Sequence, residues 1–181
     1  MLKIVIVRAA VIAAAWFVVG LPASATDVDP CTRFTWNVTR ELAVMTQTPK
    51  PVAVAVKTGA DVPQLQFDTL YELKLAAQGA TSFAIKPGKL TVDDSAHAGL
   101  VRFRTEKAGL YRISITSRHW LDVVDGAVVV KSRDFQGQRG CERPRKIVEY
   151  ELPAGRDLTL QLSGSPDATV LVAITPAPSG S

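Results

Sequence analysis

Hydrophobic and polar residues alternate regularly in the middle of the chain. The apolar side chains of Tyr111, Ile113 and Ile115 occur at every second position, and polar residues, including Arg112 and Ser114, occupy the positions between them. A period of two gives a strand one apolar face and one solvent-exposed face. This pattern is typical of antiparallel strands that cover a hydrophobic core on one side.

The same alternation recurs in short segments on both sides of this region, and turn residues such as Pro-Gly, Asp-Gly and Ala-Gly separate them. No long stretch has the period of a helix, although 40–45 is compatible with either a helical turn or a continued strand. Roughly nine to ten strands predict an all-β fold, an antiparallel β-sandwich of jelly-roll type. A closed barrel of about eight strands is the alternative, and uneven loop lengths favour the sandwich. The predicted strands include 34–38, 52–56, 70–76, 83–85, 100–103, 111–115, 128–130, 148–152, 158–162 and 170–174.

The beginning of the chain has the layout of a secretory signal peptide. Lys3 and Arg8 form a short positive region, an apolar run follows at 9–19, and Ala23-Ser24-Ala25 is a small-residue cleavage site. Removal of residues 1–25 is therefore predicted, which places the mature protein in the periplasm or among secreted proteins. The alternative is a membrane anchor, but this run is short for a span of about 20 apolar residues.

Without the signal peptide, the chain has the length of one domain. The predicted organisation is a single β-sandwich domain over 26–175 and a disordered tail over 176–181. No other segment is apolar over the length that a membrane span requires. Lys3 and Arg8 are lost with the signal peptide, so the net charge falls from +4 to +2. The sequence also contains no basic block of the kind that nucleic-acid binding needs, so nucleic acid is not an expected partner.

The sequence contains two cysteines, Cys31 and Cys141. In an exported protein, an isolated pair predicts a disulfide. The loop that it closes has about 110 residues, for which the chain-entropy model gives a stabilisation of about 4–5 kcal/mol. A reactive or metal-binding thiol pair is the alternative. It is disfavoured because neither cysteine has a histidine within a few residues.

Three segments carry a resemblance to a known family. Tyr150-Glu-Leu-Pro-Ala-Gly155 leads through an alternating strand to Ala168-Thr-Val-Leu-Val-Ala-Ile174, and Ala108-Gly-Leu-Tyr-Arg-Ile-Ser-Ile115 has a similar build. They resemble the bacterial pre-peptidase C-terminal (PPC) domains over about half of the mature chain. The resemblance implies a secreted jelly-roll β-sandwich, of a kind usually appended to enzymes and serving binding, secretion or folding. The whole chain also resembles small exported proteobacterial proteins of unknown function.

Two groups of residues are candidates for ligand binding. Trp36, Tyr111 and Trp120 would suit an aromatic platform for a sugar or a peptide, with burial in the core as the alternative. Arg143 and Arg145 lie among other basic residues around Cys141 and would suit an anion-binding surface, because guanidinium groups pair with carboxylates and phosphates. A solvated loop is the alternative for these arginines.

Histidines and aspartates provide candidate metal ligands in two arrangements. His97 and His119 with one aspartate would form a two-histidine, one-carboxylate site. Aspartates alone would suit calcium, which takes about six to eight oxygen ligands. The first site needs two separate loops to meet in space, and no regular Asp-x-Asp-x-Asp spacing supports the second, so no metal or other cofactor is expected. The candidate aspartates are Asp93, Asp94, Asp122 and Asp125.

A hydrolytic site would need a nucleophile beside His119 and Asp122. Ser114 and Ser117 are the nearest serines, and neither lies in a Gly-x-Ser-x-Gly elbow. We therefore expect an exported, non-enzymatic β-sandwich with a binding or structural role at the cell envelope. The alternatives are a carbohydrate- or peptide-binding jelly-roll module and, next, a metal-dependent enzyme. The expected partners are a polysaccharide, a peptide or an envelope protein.

Overall fold

The alternating segments form β-strands because each strand places its apolar side chains on one face and its polar side chains on the other. The computed structural model describes residues 28–59, 61–89 and 95–178. The predicted signal peptide lies outside the described residues, as do Asp93, Asp94 and the last three residues of the predicted tail.

The described part of the chain is mostly strand, with short helical segments near its beginning and middle. The helical segments are a 3-10 turn (Pro30–Arg33), helix α1 (Thr39–Met45) and a second 3-10 turn (Gln78–Ala80). The strands are β1 (Lys50–Ala53), β2 (Gln64–Leu65), β3 (Tyr71–Lys74), β4 (Ala76–Ala77), β5 (His97–Thr105), β6 (Gly109–Ile115), β7 (Trp120–Asp125), β8 (Val128–Val130), β9 (Asp134–Gly137), β10 (Lys146–Leu152), β11 (Arg156–Ser165) and β12 (Thr169–Pro176).

These strands form two sheets. The order of the first sheet is β1-β3-β12-β6-β10-β9, and that of the second is β2-β5-β11-β7-β8, with β4 also paired to β5. The predicted all-β sandwich is therefore confirmed. Most pairs are antiparallel, but β1 with β3 and β2 with β5 are parallel, so the sheets are mixed rather than purely antiparallel. Both parallel pairs have the long connection that such a pairing requires.

One hydrophobic core lies between the two sheets. The apolar positions predicted from the alternation fill it: Ile113 and Ile115 of β6 and Leu160 of β11 are fully buried. Tyr111 also belongs to this core, where its ring stacks on Phe67 with centroids 5.1 Å apart. Burial of apolar surface is the main stabilising contribution of such a core.

The outer face of the first sheet is covered, which corrects the expectation of a solvent-exposed face on β6. Arg112 and Ser114 are fully buried because residues 30–45, here called the N-terminal cover, pack over them. Residues 34–38 form no strand, so that prediction is wrong, whereas the helical alternative for 40–45 is confirmed by α1.

A second segment packs on the outer face of the second sheet. Gln161 Oε1 accepts hydrogen bonds from the backbone N–H groups of Ala84 and Ile85, at 2.8 and 3.2 Å. Residues 83–85 therefore belong to a segment that covers this sheet, and they do not form the strand that was predicted for them. The Gly88 N–H continues the attachment by donating to Asp122 Oδ2 at 3.0 Å.

The predicted disulfide between Cys31 and Cys141 is formed and attaches the N-terminal cover to the loop before β10. At the other end, β12 extends through Pro176, and the Ala177 N–H donates to the Leu110 carbonyl oxygen at 2.8 Å. Regular pairing thus continues into the region predicted as a tail. No helix in the described ranges is long and apolar enough to cross a membrane.

Candidate functional site

A groove opens at the edge of the sandwich, between β7 and β8 of one sheet and β9 and β10 of the other. Its volume is about 390 Å³, which lies within the usual range for small-ligand sites. β8 and β9 are the last strands of their sheets, so the groove follows a sheet edge rather than a sheet face. We call it the aromatic groove; it is lined by Gly88, Trp120, Leu121, Asp122, Val129, Val130, Lys131, Ser132, Phe135, Lys146, Val148 and Tyr150.

Trp120 forms one wall of the aromatic groove and is 40% exposed. Its indole Nε1–H donates to Asp122 Oδ1 at 2.9 Å, while the other carboxylate oxygen accepts from Gly88. The contact with Gly88 is close, since a Cβ atom added there would lie 3.2 Å from the Trp120 ring. The ring is therefore held in one orientation by a buried carboxylate and a glycine.

Phe135 of β9, in the other sheet, also lines the aromatic groove and is 66% exposed. Tyr150 lies deeper, where its hydroxyl donates to the Leu121 carbonyl oxygen at 3.4 Å and burial raises the pKa of its phenol. In the described residues, exposed large apolar side chains are concentrated along this edge. Those at this edge are Trp120, Val128, Val129 and Phe135.

Lys146 provides a cation inside the aromatic groove. Its Nζ donates to the His119 carbonyl oxygen at 2.6 Å, and burial, with Lys89 nearby, lowers the pKa of Lys146 to about 8. Burial and the charge of Lys146 lower the pKa of His119 to about 3, so its imidazole is neutral at physiological pH. Both ring nitrogens of His119 are buried and have no hydrogen-bond partner in the described structure.

His119 and Asp122 therefore do not form the base and orienting carboxylate that their spacing suggested. Asp122 is committed to Trp120 and Gly88, and no hydrogen bond joins it to His119 in the described part of the chain. Ser114 and Ser117 are both buried, with hydroxyl groups that lack a hydrogen-bond partner there. In the described structure, no proton-transfer chain is therefore formed by the side chains of Ser114, Ser117, His119 and Asp122.

A second cavity, of about 520 Å³, lies beside the loop that contains Cys141. Arg118, Arg143 and Arg145 line it together, so the structure brings the two predicted arginines into one site and adds a third. Arg145 Nη1 donates to the Gln138 carbonyl oxygen at 2.7 Å, which fixes its guanidinium group. We call this the arginine cavity; its lining also includes Thr116, Ser117, Gly140, Glu142, Pro166, Asp167 and Leu171.

The three aromatic residues that were predicted to form a ligand-binding platform lie in three different environments. Tyr111 lies in the core, and Trp36 lies on the opposite side of the same sheet, over the Arg112 guanidinium at 4.7 Å from the ring centroid. Trp120 is in the other sheet and lines the aromatic groove. The three rings therefore do not form one platform: Tyr111 and the Arg112 that Trp36 covers are consecutive strand residues and point to opposite faces of the sheet.

The predicted metal ligands are not brought together in the described residues. Asp125 Oδ1 accepts from Arg156 Nη2 at 2.6 Å, and Asp122 is held by Trp120. His97 lies at the start of β5, partly buried. Within 28–59, 61–89 and 95–178, no group of three or more histidine, cysteine, aspartate or glutamate side chains is arranged to hold a metal ion.

Three residues that line the aromatic groove were not identified from the sequence as belonging to a binding groove: Phe135, Lys146 and Tyr150. Phe135 follows Arg133 and Asp134 at the start of a polar, Arg- and Gly-rich segment that was interpreted as a loop. The sequence signal for Phe135 is that it is a single large apolar residue in a polar segment. An exposed phenyl ring does not stabilise a loop that is surrounded by water.

No family model matches this chain, and no curated protein is significantly similar to it. Its function is therefore inferred from the residues of the aromatic groove and the arginine cavity.

Proposed function

We propose that this protein is an exported, non-enzymatic carbohydrate-binding module of the cell envelope, and that the aromatic groove is its ligand site. The observation that carries the proposal is an exposed Trp120 ring, fixed by Asp122, in the same groove as an exposed Phe135 from the other sheet. Large exposed apolar surface is unfavourable in water, so its concentration at one groove indicates a binding surface.

The chemistry of the groove suits a sugar ring. The Trp120 N–H is already bonded to Asp122, so the indole offers mainly its apolar ring surface to a ligand. A pyranose presents a face of C–H groups that packs on such a ring, while its hydroxyl groups remain available for polar partners. The Ser132 hydroxyl and the ammonium groups of Lys131 and Lys146 supply those partners around the same cavity.

Export is supported by two independent features. The sequence predicts a signal peptide over 1–25, and the Cys31–Cys141 disulfide is of the kind that persists in oxidising compartments. Together they favour a periplasmic or secreted protein.

The jelly-roll connectivity is part of the proposal. Numbered in chain order, the eight strands β3, β5, β6, β7, β8, β10, β11 and β12 lie in the order 1-8-3-6 in the first sheet and 2-7-4-5 in the second. This order supports a jelly roll, in which two Greek keys form a double sheet. It also supports the resemblance to PPC domains, which implies the same connectivity.

A non-enzymatic role is supported by the environment of His119 and Asp122, the pair whose spacing suggested a base and an orienting carboxylate. His119 is neutral and buried, and Asp122 holds Trp120 in place. A general acid or base needs a group that reaches the reacting atom and exchanges a proton near neutral pH. Neither residue meets both requirements.

Isothermal titration of the mature protein against neutral and acidic polysaccharides tests the proposal. We expect binding to at least one of them, weakened about tenfold or more by Trp120→Ala or Phe135→Ala. Val56→Ala, which truncates an exposed apolar residue outside the groove, is the control and should bind as the wild type does. Absence of saccharide binding, unchanged binding by Trp120→Ala, or release of new reducing ends from the bound saccharide would contradict the proposal.

A further inference from the structure

The aromatic groove and the arginine cavity are joined by a third cavity of about 300 Å³. Phe135 and Lys146 line both this cavity and the aromatic groove, while Arg118 and Arg145 line both this cavity and the arginine cavity. The three cavities are therefore adjacent, and together they line a surface that starts at Trp120 and Phe135 and ends among arginines. We call it the cationic track.

Positive charge dominates the lining of the cationic track. None of its cations lies within 4.0 Å of a carboxylate oxygen in the described structure, although ion pairs of this kind occur elsewhere on the surface, as between Arg104 and Asp157. The lining carboxylates are fewer, and one of them, Asp122, is committed to Trp120 and Gly88. The cations are Arg118, Lys131, Arg139, Arg143, Arg145 and Lys146.

We infer that the ligand is a linear acidic polysaccharide: one sugar ring lies between Trp120 and Phe135, and carboxylates of the following sugars pair with Lys146 and the arginines. This inference rests on the proposed function and adds the ligand class and its direction along the surface. Guanidinium groups suit carboxylates because their paired N–H groups match the two carboxylate oxygens.

One partly buried cation favours an anion along this path. Lys146 lines the aromatic groove and lies partly buried near Lys89, which disfavours its charge, and a neighbouring carboxylate would offset this unfavourable interaction.

The distribution of aromatic residues favours a polysaccharide over a single-stranded nucleic acid. Proteins that bind single strands stack successive bases on successive aromatic side chains. Beyond Phe135, the described lining of the track contains arginines and other non-aromatic residues but no further aromatic ring. One stacked unit followed by a run of charges matches a uronic-acid chain.

Isothermal titration of the mature protein with defined oligosaccharides tests the inference. The probes are a galacturonate octamer, a galacturonate dimer and a neutral maltooctaose. We expect the acidic octamer to bind about tenfold or more tightly than the other two, with an affinity that falls as salt is added. Arg118→Gln with Arg143→Gln should remove most of the octamer's advantage and leave dimer affinity unchanged, because both residues lie outside the aromatic groove.

Lys74→Gln is the charge control, since it removes a cation from β3, which is separated from β10 by β12 and β6 in the first sheet. It should leave octamer binding unchanged, and thermal unfolding should show that the arginine variant is folded. Equal affinity for maltooctaose and the acidic octamer would overturn the inference and leave the proposed function standing. Failure of all three probes, with no other polysaccharide bound, would overturn both. Equally tight binding of an oligothymidylate octamer, or of anionic phospholipid vesicles, would also overturn the inference.

Discussion

The Arg112 guanidinium and the Glu149 carboxylate form a buried ion pair on the outer face of the first sheet, with Nε 2.9 Å from Oε2. Glu41 of α1 approaches the same guanidinium at 3.4 Å, and the Asn37 carbonyl oxygen accepts from it at 2.8 Å. The Trp36 ring covers this cluster. The N-terminal cover is thus held by charges that water does not reach.

Replacing Arg112 with methionine should strongly destabilise the protein. Glu41 and Glu149 would remain buried without their shared cation, and breaking a buried pair in this way costs about 3–5 kcal/mol. The free energy of unfolding in urea measures the effect. Arg104→Met, which removes an exposed ion pair with Asp157, is the matched control and should change stability by less than about 1 kcal/mol. Similar values for the two variants would contradict this account of the cluster.

Removing the disulfide should weaken the attachment of the N-terminal cover. The double variant Cys31→Ser, Cys141→Ser should lose about 2–5 kcal/mol of stability, because the bridge closes a long loop in the unfolded chain. Urea unfolding of the variant and of the reduced wild type should agree. A wild type whose stability is unaffected by reduction would contradict the expected contribution.

Stability should depend on His119 between about pH 3 and pH 6.5. Burial lowers the folded-state pKa of His119 from 6.5 to about 3, so in this window the unfolded chain binds the additional proton. The contribution of His119 is complete above pH 6.5 and is lost as the pH falls towards 3. Unfolding free energies measured across this window should therefore have a shallower pH slope in His119→Gln than in the wild type. Identical slopes would show that His119 is not buried in its neutral form.

Gly88→Ala should reduce ligand binding at the aromatic groove. The new methyl group would lie 3.2 Å from the Trp120 ring and 3.3 Å from Asp122 Oδ1, so the ring must shift. Titration with the saccharide that binds the wild type measures the loss, for which we expect several-fold weaker affinity. Gly79→Ala is the matched control, because nothing lies within 4 Å of its added Cβ atom. Unchanged affinity in Gly88→Ala would show that the position of Trp120 does not determine binding.

The core was predictable from the sequence because it depends on a local signal. Alternation along β6 identifies Ile113 and Ile115 as inward-facing wherever the strand pairs. The burial of Arg112 was not predictable, since it depends on a segment some 70 residues earlier in the chain that packs over the strand. A polar residue at an outward-facing strand position predicts exposure to solvent, unless the segment that covers it is already known.

The candidate site was predictable only in part. Trp120 and the pair Arg143 and Arg145 were identified by residue type, because exposed aromatic and guanidinium groups are common in binding sites. Their arrangement depends on which sheet edges meet, and β9 was not predicted as a strand. Phe135, the residue that completes the aromatic groove, therefore remained hidden within a predicted loop.

Two terminal strands, β8 and β9, contribute part of the lining of the aromatic groove. β8 and β9 have three and four residues, and each pairs with one neighbour in the described structure. Substitutions there would change the lining of the aromatic groove while the central strands keep their packing. The shape of this rim can therefore be altered by mutation without weakening the thermodynamic scaffold.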